Sequence, residues 1–334
     1  MKPYLSIVAT SRNDNHGGDL LQRMEYFING IIQQSSKYKI EIELIIVEWN
    51  PPSDEKKLPE VLNIDETDSY CEVKIIEVSK ELHQGYKNND NKLPLYQMIA
   101  KNVGIKRAKG EFILATNIDL LFSNELFELF SKRQLCEDTI YRVNRYDIDS
   151  NLPKSSNIDD WLEFAKSNIV RENTFHGSRM TQDWHYSQIH KDNVISGAKI
   201  PSGGVALYGN ASGDFQLLHK SIWEKSRGYV EWDAYSFHMD SLFEYVSYFL
   251  TKGETILDAK YCTYHIEHGD GFQFNNVDSM NDKIKRESSD KIKGSELRAW
   301  GELMAREEKS FIFNNKEWGI GNIELPEIIL GEIK

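Results

Sequence analysis

Apolar positions along the chain alternate between two spacings. Residues 4–10 (YLSIVAT) form a compact β-rich run, and Leu20, Leu21, Met24, Phe27, Ile28, Ile31 and Ile32 then share one helical stripe, which predicts a strand followed by a helix. The run IELIIVEW (42–49) is continuously apolar enough to be buried on both faces, and Pro51-Pro52 stops it. EVKIIEVS (72–79) predicts another strand, LYQMIAKNVGIKRA (95–108) a helix ending near Gly110, and EFILATNI (111–118) a strand that closes on Asp119. Apolar strands separated by helices predict an α/β fold with a parallel sheet covered on both faces. Ligands of such sheets collect beyond the carboxyl ends of the strands. Asn13, Asp14, Glu48 and Asp119 follow predicted strands and mark that edge.

Beyond residue 123 the pattern loosens. ELFELFSKR (125–133) predicts a helix and TIYRVNRYDI (139–148) a strand. Residues 149–214 are polar, aromatic and dotted with glycine, with a clear helix only at 159–169, and suit a binding region better than a core. DFQLLHKSIWEKSRGY (214–229) predicts a strand and a short helix, residues 238–253 a helix ended at Gly253, and TILDAKYCTYHI (255–266) one more strand. The tail from about 276 is charged, with an amphipathic stretch at 295–308. There is no internal repeat, low-complexity run or clean linker.

Composition narrows the function. A chain of 334 residues, 40% hydrophobic, can bury a core as one large domain or two closely joined ones. A formal net charge of -12, with no concentrated basic face, argues against nucleic acid as a partner. Cys71, Cys136 and Cys262 are few and far apart, which suggests neither a disulfide framework nor a thiolate metal cluster and fits a reducing cytoplasm. The amino terminus turns polar too soon for a signal peptide, and no apolar stretch has the length of a spanning helix.

Familiar nucleotide signatures are missing. TSRNDNHGGD after the first strand is neither G-x-G-x-x-G nor G-x-x-x-x-G-K-[ST], and neither G-x-S-x-G nor H-E-x-x-H occurs. What remains is a set of carboxylates and histidines at the predicted sheet edge.

Taken in order, SIVATSRND, ELIIVEWNPPSD, AKNVGIKRAKGEFILATNIDLLFS, GDFQLLHKSIWEKSRGYVEWD and MDSLF resemble the successive blocks of glycosyltransferase family 2 and its GT-A-fold relatives, over roughly residues 4–270. The resemblance implies a Rossmann-like, mostly parallel sheet. It divides the chain into a nucleotide-sugar-binding half (1–123), an acceptor-binding and catalytic half (124–275) and a helical, charged extension (276–334). It places Asn117-Ile118-Asp119 at the family's D-x-D position, where Asp119 would hold Mn²⁺ or Mg²⁺ and through it the diphosphate of a UDP- or GDP-linked sugar. Asn117 departs from the motif, keeping an oxygen but losing a charge.

The β-1,4-galactosyltransferase branch has a Met-x-x-His metal element that His265 and His268 resemble, and imidazole suits Mn²⁺. By the same likeness Glu48 would contact the base or ribose, and Thr10, Arg12, Lys101, Asn102 and Asn117 would line the donor site. Asp240, in the place of the family's E-D block, would be the base of an inverting, hexosyltransferase-type reaction; Met239 fills the slot of the other acid. The glycines of 202–214 would form a loop closing over the donor. The acceptor would be a carbohydrate or glycolipid hydroxyl, as in polysaccharide synthesis, with peripheral contact to a membrane left open.

Plainer readings stand beside each of these. Asp119 could be a solvated turn, Asp240 a helix-dipole acid, His265 and His268 strand and loop residues, and Glu48, Arg12 and Lys101 solvated charges. His176, His185 and His190 have no recognised ligand spacing. Trp161, Trp184, Trp232 and Tyr208 could stack on sugars or fill the core. A non-catalytic GT-A-fold carbohydrate- or nucleotide-binding protein, or another α/β transferase such as a nucleotidyltransferase, remains an alternative.

Overall fold

The computed structural model describes residues 2–65, 70–86, 93–181, 207–251, 253–268 and 290–331. The apolar runs of the first half become parallel strands: β1 (Leu5–Ser11), β2 (Ile42–Trp49), β3 (Cys71–Val78) and β4 (Phe112–Ala115). Between them run the helices α1 (Leu20–Tyr38), α2 (Leu58–Val61), α3 (Lys80–Gln84) and α4 (Gln97–Arg107). Then follow β5 (Leu120–Phe122), α5 (Asn124–Ser131), β6 (Ile140–Arg142), β7 (Asn144–Ile148), α6 (Ile158–Ser167), β8 (Ile169–Thr174) and β9 (Gly177–Met180). The chain continues through β10 (Gln216–His219), α7 (Lys220–Ser226), α8 (Met239–Tyr248), β11 (Glu254–Ile256), β12 (Cys262–Ile266), α9 (Gly294–Glu307) and β13 (Glu327–Ile329).

These elements form one mixed α/β domain with two sheets. The large sheet has the order β11-β6-β10-β4-β1-β2-β3-β13, and β1 to β4 form its parallel heart. Strands β10 and β13 run antiparallel to β4 and β3. Alternation within the heart divides the core. Ile7, Leu44 and Ile46 face Phe27, Ile28 and Ile31 of α1, while Val8, Ile45 and Val47 face Ile99 and Val103 of α4. Helix α4 lies close to the sheet because Gly104 has no Cβ; one placed there would sit 2.5 Å from the Val8 side chain. The C-terminal stretch joins this core, with Trp318 packed beside α4 residues and β13 closing the edge at β3. Among the described residues no helix is long and apolar enough to cross a membrane.

The small sheet, β5-β12-β7-β8-β9, corrects the sequence reading. Two stretches predicted as single strands are each two: 139–148 divides at Val143 into β6 and β7, and 255–266 divides into β11 and β12 around a turn closed by Tyr261 N–H on the Asp258 carbonyl at 2.8 Å; the strand predicted at 111–118 is β4 alone, and β5, in the small sheet, follows it without having been predicted. Apolar periodicity continues across each break, so the pattern alone hides it.

Arg142 shows why the second break falls where it does. Its guanidinium, 1% exposed, donates to the carbonyls of Ser212 (2.9 Å), Tyr208 (3.1 Å) and Phe215 and pairs with Glu244 at 3.2 Å. The side chain fills the cleft that opens as the strand leaves one sheet for the other. The region read as a binding segment contributes β8 and β9, and residues 182–206 of it, with Trp184, His185 and His190, lie outside the described residues, as do 202–206 of the glycine loop.

Candidate functional site

The small sheet has one apolar and one charged face. Tyr146, Ile148, Cys262, Tyr264 and Ile266 alternate onto the face that packs on Trp161, Leu162 and Ala165 of α6. The intervening residues fall on the other face in fixed register. Parallel pairing sets His265 beside Asp147 and Thr263 beside Arg145, and antiparallel pairing sets Arg171 opposite Asp147 and Asn173 opposite Arg145. This charged face looks toward the place where β4 passes into β5, and Asp119 occupies that passage. Its carbonyl accepts the Ile266 N–H at 2.9 Å, which fixes it against the end of β12.

Three side chains from two separate segments meet there. Asp119 Oδ2 lies 3.0 Å from His268 Nε2 and 3.7 Å from His265 Nε2, and Arg23 of α1 donates to it at 3.2 Å. All are mostly buried. Burial alone would raise the Asp119 carboxyl, but His265 and His268 outweigh it and hold it well below the usual carboxylate range. Burial would lower His265, yet Asp119 and Asp147 push it up to about 10. Asp119 and His265 thus form a buried ion pair.

The same residues suit a divalent cation. Ligands at about 2.1 Å in octahedral geometry stand about 3 Å apart, close to the spacing of Asp119 Oδ2 and His268 Nε2. Asp119 Oδ1, His265 Nδ1 and His268 Nδ1 are buried without a hydrogen-bond partner, so the cluster is not saturated by the protein alone. One carboxylate and two imidazoles form a donor set for a first-row transition ion rather than a purely oxygen-loving one. Gly17 makes the approach of His268 possible: with φ +75° it lies against the ring, and a Cβ there would fall 2.4 Å from His268 Nδ1.

The cluster opens on a cavity of about 490 Å³ between the two sheets. Its wall carries Arg12, Arg23, Arg145 and Arg171 with Asp14, Asp119 and Asp214, so guanidiniums are plentiful in a chain whose net charge is -12. Thr10 lines it while donating to the Val47 carbonyl at 2.9 Å, and Arg12 lines it while braced on the Asn50 carbonyl at 2.7 Å and on Asp14 at 2.8 Å. Asn117 lines it too, but its amide is engaged: the oxygen accepts from Lys101 (2.8 Å) and Gln97 (2.9 Å), and the nitrogen donates to Asp214.

Other residues singled out from the sequence sit behind this wall. Lys101, fully buried, spans Asn117 and the Gly213 carbonyl at 2.8 Å each, and burial lowers it to about 8. Asn102 ties α4 to the 229–231 segment, donating to Tyr229 O and Glu231 and accepting from Tyr229 N. Glu48 is fully buried at the end of β2, where Oε1 accepts the Leu58 N–H at 2.9 Å and Oε2 has no partner; burial raises it to about 7. These three do not line the cavity.

Asp240 stands in the first turn of α8, behind Gly213 and past the lining residue Ser236. Oδ1 accepts from Ser241 N at 2.8 Å, and burial raises the carboxyl. Trp161 and Tyr208 are core residues, Trp232 is exposed, and His176 lies exposed in the turn between β8 and β9.

Sequence reasoning did not single out Arg23, Arg145, Asp147, Arg171 or Asp214. The one available signal was NRYDI (144–148), where charged residues at every second position of a strand mark a polar face buried against something. A further acid-histidine group, Glu111, Glu137 and His219, is largely exposed at another face.

No family model matches the chain, and no curated protein matches it either. Among solved structures, a crystal structure of S. aureus TarS 1-349 is similar at 14% identity over 92% of this chain and 72% of that one, with a TM-score of 0.43.

Proposed function

We propose that the chain transfers a glycosyl group, with inversion, from a nucleoside-diphosphate sugar to a hydroxyl of a carbohydrate or glycolipid. One observation carries this reading: Asp119, His265 and His268 converge at the floor of a cavity rimmed by arginines, beyond the carboxyl ends of β1 and β4. The block order of the sequence supports it independently.

In this reading Asp119, His265 and His268 hold a divalent cation, Mn²⁺ by the chemistry of the donors. A cation bound there offsets charge on the departing diphosphate. Arg12 and Arg145 carry guanidinium N–H groups on the same wall, suited to phosphate oxygens. Thr10 and Asn117 shape the wall, with Lys101 bracing Asn117 from behind. The glycines near 213 let the chain approach Asp240 closely, since a Cβ on Gly213 would lie 3.1 Å from Asp240 Oδ2.

Donor hydrolysis tests the reading. Incubation with a panel of UDP- and GDP-sugars should give slow, Mn²⁺-dependent release of UDP or GDP that Asp119→Ala abolishes. Binding without release would favour a non-catalytic role, and pyrophosphate release from a nucleoside triphosphate would favour a nucleotidyltransferase.

A further inference from the structure

Asp147 has no part in the chemistry described above, yet it is the most completely enclosed carboxylate of the site at 0% exposure. Its Oδ1 faces His265 Nδ1 at 3.4 Å, on the side of the imidazole away from Asp119. Sheet register enforces the pairing, because β7 and β12 run parallel with Asp147 directly beside His265. The carboxylate is itself clamped. Arg145 Nε lies 2.7 Å from Oδ1, Asn173 Nδ2 donates to Oδ2 at 3.1 Å, and Arg171 Nε donates to Oδ2. His265 Nδ1 makes no hydrogen bond within the protein, and the 3.4 Å approach of Asp147 Oδ1, which also faces Arg145 Nε, is a charge contact.

A buried carboxylate is costly unless it is held for a reason. Here its holders come from β7 and β8 and aim it at one ring nitrogen. An imidazole whose Nδ1–H is held by an acceptor presents a lone pair at Nε2, the nitrogen that points at Asp119.

We infer that Asp147 is a positioning residue for His265, fixing its ring orientation and its Nδ1–H form so that Nε2 is the atom offered to a cation. The inference rests on the reading that His265 is a cation ligand, but its geometric half does not. Asp147, His265 and Asp119 form a line across the small sheet into the cavity, and loosening its outer end slackens the inner one. Outer-sphere partners of this kind typically change metal affinity by about 10- to 100-fold.

Calorimetric titration of the protein with Mn²⁺ alone, without nucleotide, reads the effect directly. Asp147→Asn keeps the shape and removes the charge; it should weaken Mn²⁺ binding by about 10-fold or more when His265 is present and by less than about 2-fold in a His265→Ala background. Equal losses in both backgrounds, or no loss in either, overturn the inference.

If Asp147→Asn does not fold, Arg171→Gln withdraws one clamp from the edge of the cavity and should give a several-fold loss with the same dependence on His265. A metal-free measurement separates this from the cation reading. In ¹⁵N-histidine-labelled protein, His265 should show a protected, downfield Nδ1–H resonance that Arg171→Gln or Asp147→Asn shifts or exposes to exchange. Should the wild-type protein take up no Mn²⁺, the cation reading fails while this resonance still decides the Asp147 pairing; a solvent-exchanging Nδ1 in the wild type refutes it.

Discussion

Replacing Glu48 by glutamine separates a structural role from a ligand-binding one, and the structure sets its size. Glu48 is fully buried, and burial lifts its carboxyl from an ordinary value of 4.5 to about 7, with Glu77 and Glu60 raising it further and the Leu58 N–H and Lys57 opposing. An acid raised in the folded state keeps its proton there while the unfolded chain has lost it. Stability from this group is therefore full below 4.5, falls as pH rises from 4.5 to 7, and stays low above. At about 1.4 kcal/mol per tenfold, the displacement corresponds to roughly 3 kcal/mol at pH 8 and above.

Glu48→Gln removes that cost and keeps an oxygen for Leu58 N–H, but its amide nitrogen inherits the unpartnered position of Oε2, at about 1 kcal/mol. The variant should be about 2 kcal/mol more stable than wild type at pH 8.5 and about 1 kcal/mol less stable at pH 4.5, the two curves crossing near pH 5 to 6. Urea unfolding followed by circular dichroism across this range measures it. Parallel curves, or a variant less stable at every pH, would refute the argument from burial. A loss of nucleotide affinity in a variant of unchanged stability would restore Glu48 to the donor site.

Other variants probe the remaining joints. Gly17→Ala should weaken Mn²⁺ binding by tenfold or more, because its Cβ occupies the space of the His268 ring and its backbone is left-handed; calorimetry showing unchanged affinity would contradict this. Asn117→Asp, which restores the acid of the D-x-D pattern, should not tighten Mn²⁺ binding. It places a carboxylate against Asp214 and should cost about 1–2 kcal/mol in urea unfolding, so a tighter metal site would show that Asn117 turns toward the cation. Arg142→Met should lower stability by about 3–5 kcal/mol, since it leaves Glu244 and several carbonyls buried without their donor; a loss under 1 kcal/mol would mean that water or repacking replaces it.

How far the sequence could be read depended on where each constraint lies. The parallel heart was legible because burial on both faces leaves unbroken apolar runs at residues 4–10, 42–49 and 72–79. Asp119, His265 and His268 were singled out through the resemblance of the sequence blocks, and the fold brings the three within reach of one another. The second sheet was not legible, because a strand that changes sheets keeps its periodicity through the break, as at Val143.

Side-chain direction was equally hidden. Glu48 and Lys101 lie near the ends of elements beside the cavity but point into the protein, and only tertiary packing decides that. Arg23, Arg145, Asp147 and Arg171 reach the cluster through helix placement and strand register, which pair residues 24 to 118 positions apart and leave no local trace.

The central claim concerns a single point in space, and anomalous diffraction from crystals soaked with MnCl₂ and UDP or GDP examines it most directly. The account predicts one strong manganese peak within about 2.3 Å of Asp119, His265 Nε2 and His268 Nε2, with the diphosphate coordinated on its cavity side. Nucleotide bound in the cavity with no manganese at those three side chains, or manganese held elsewhere, would contradict it.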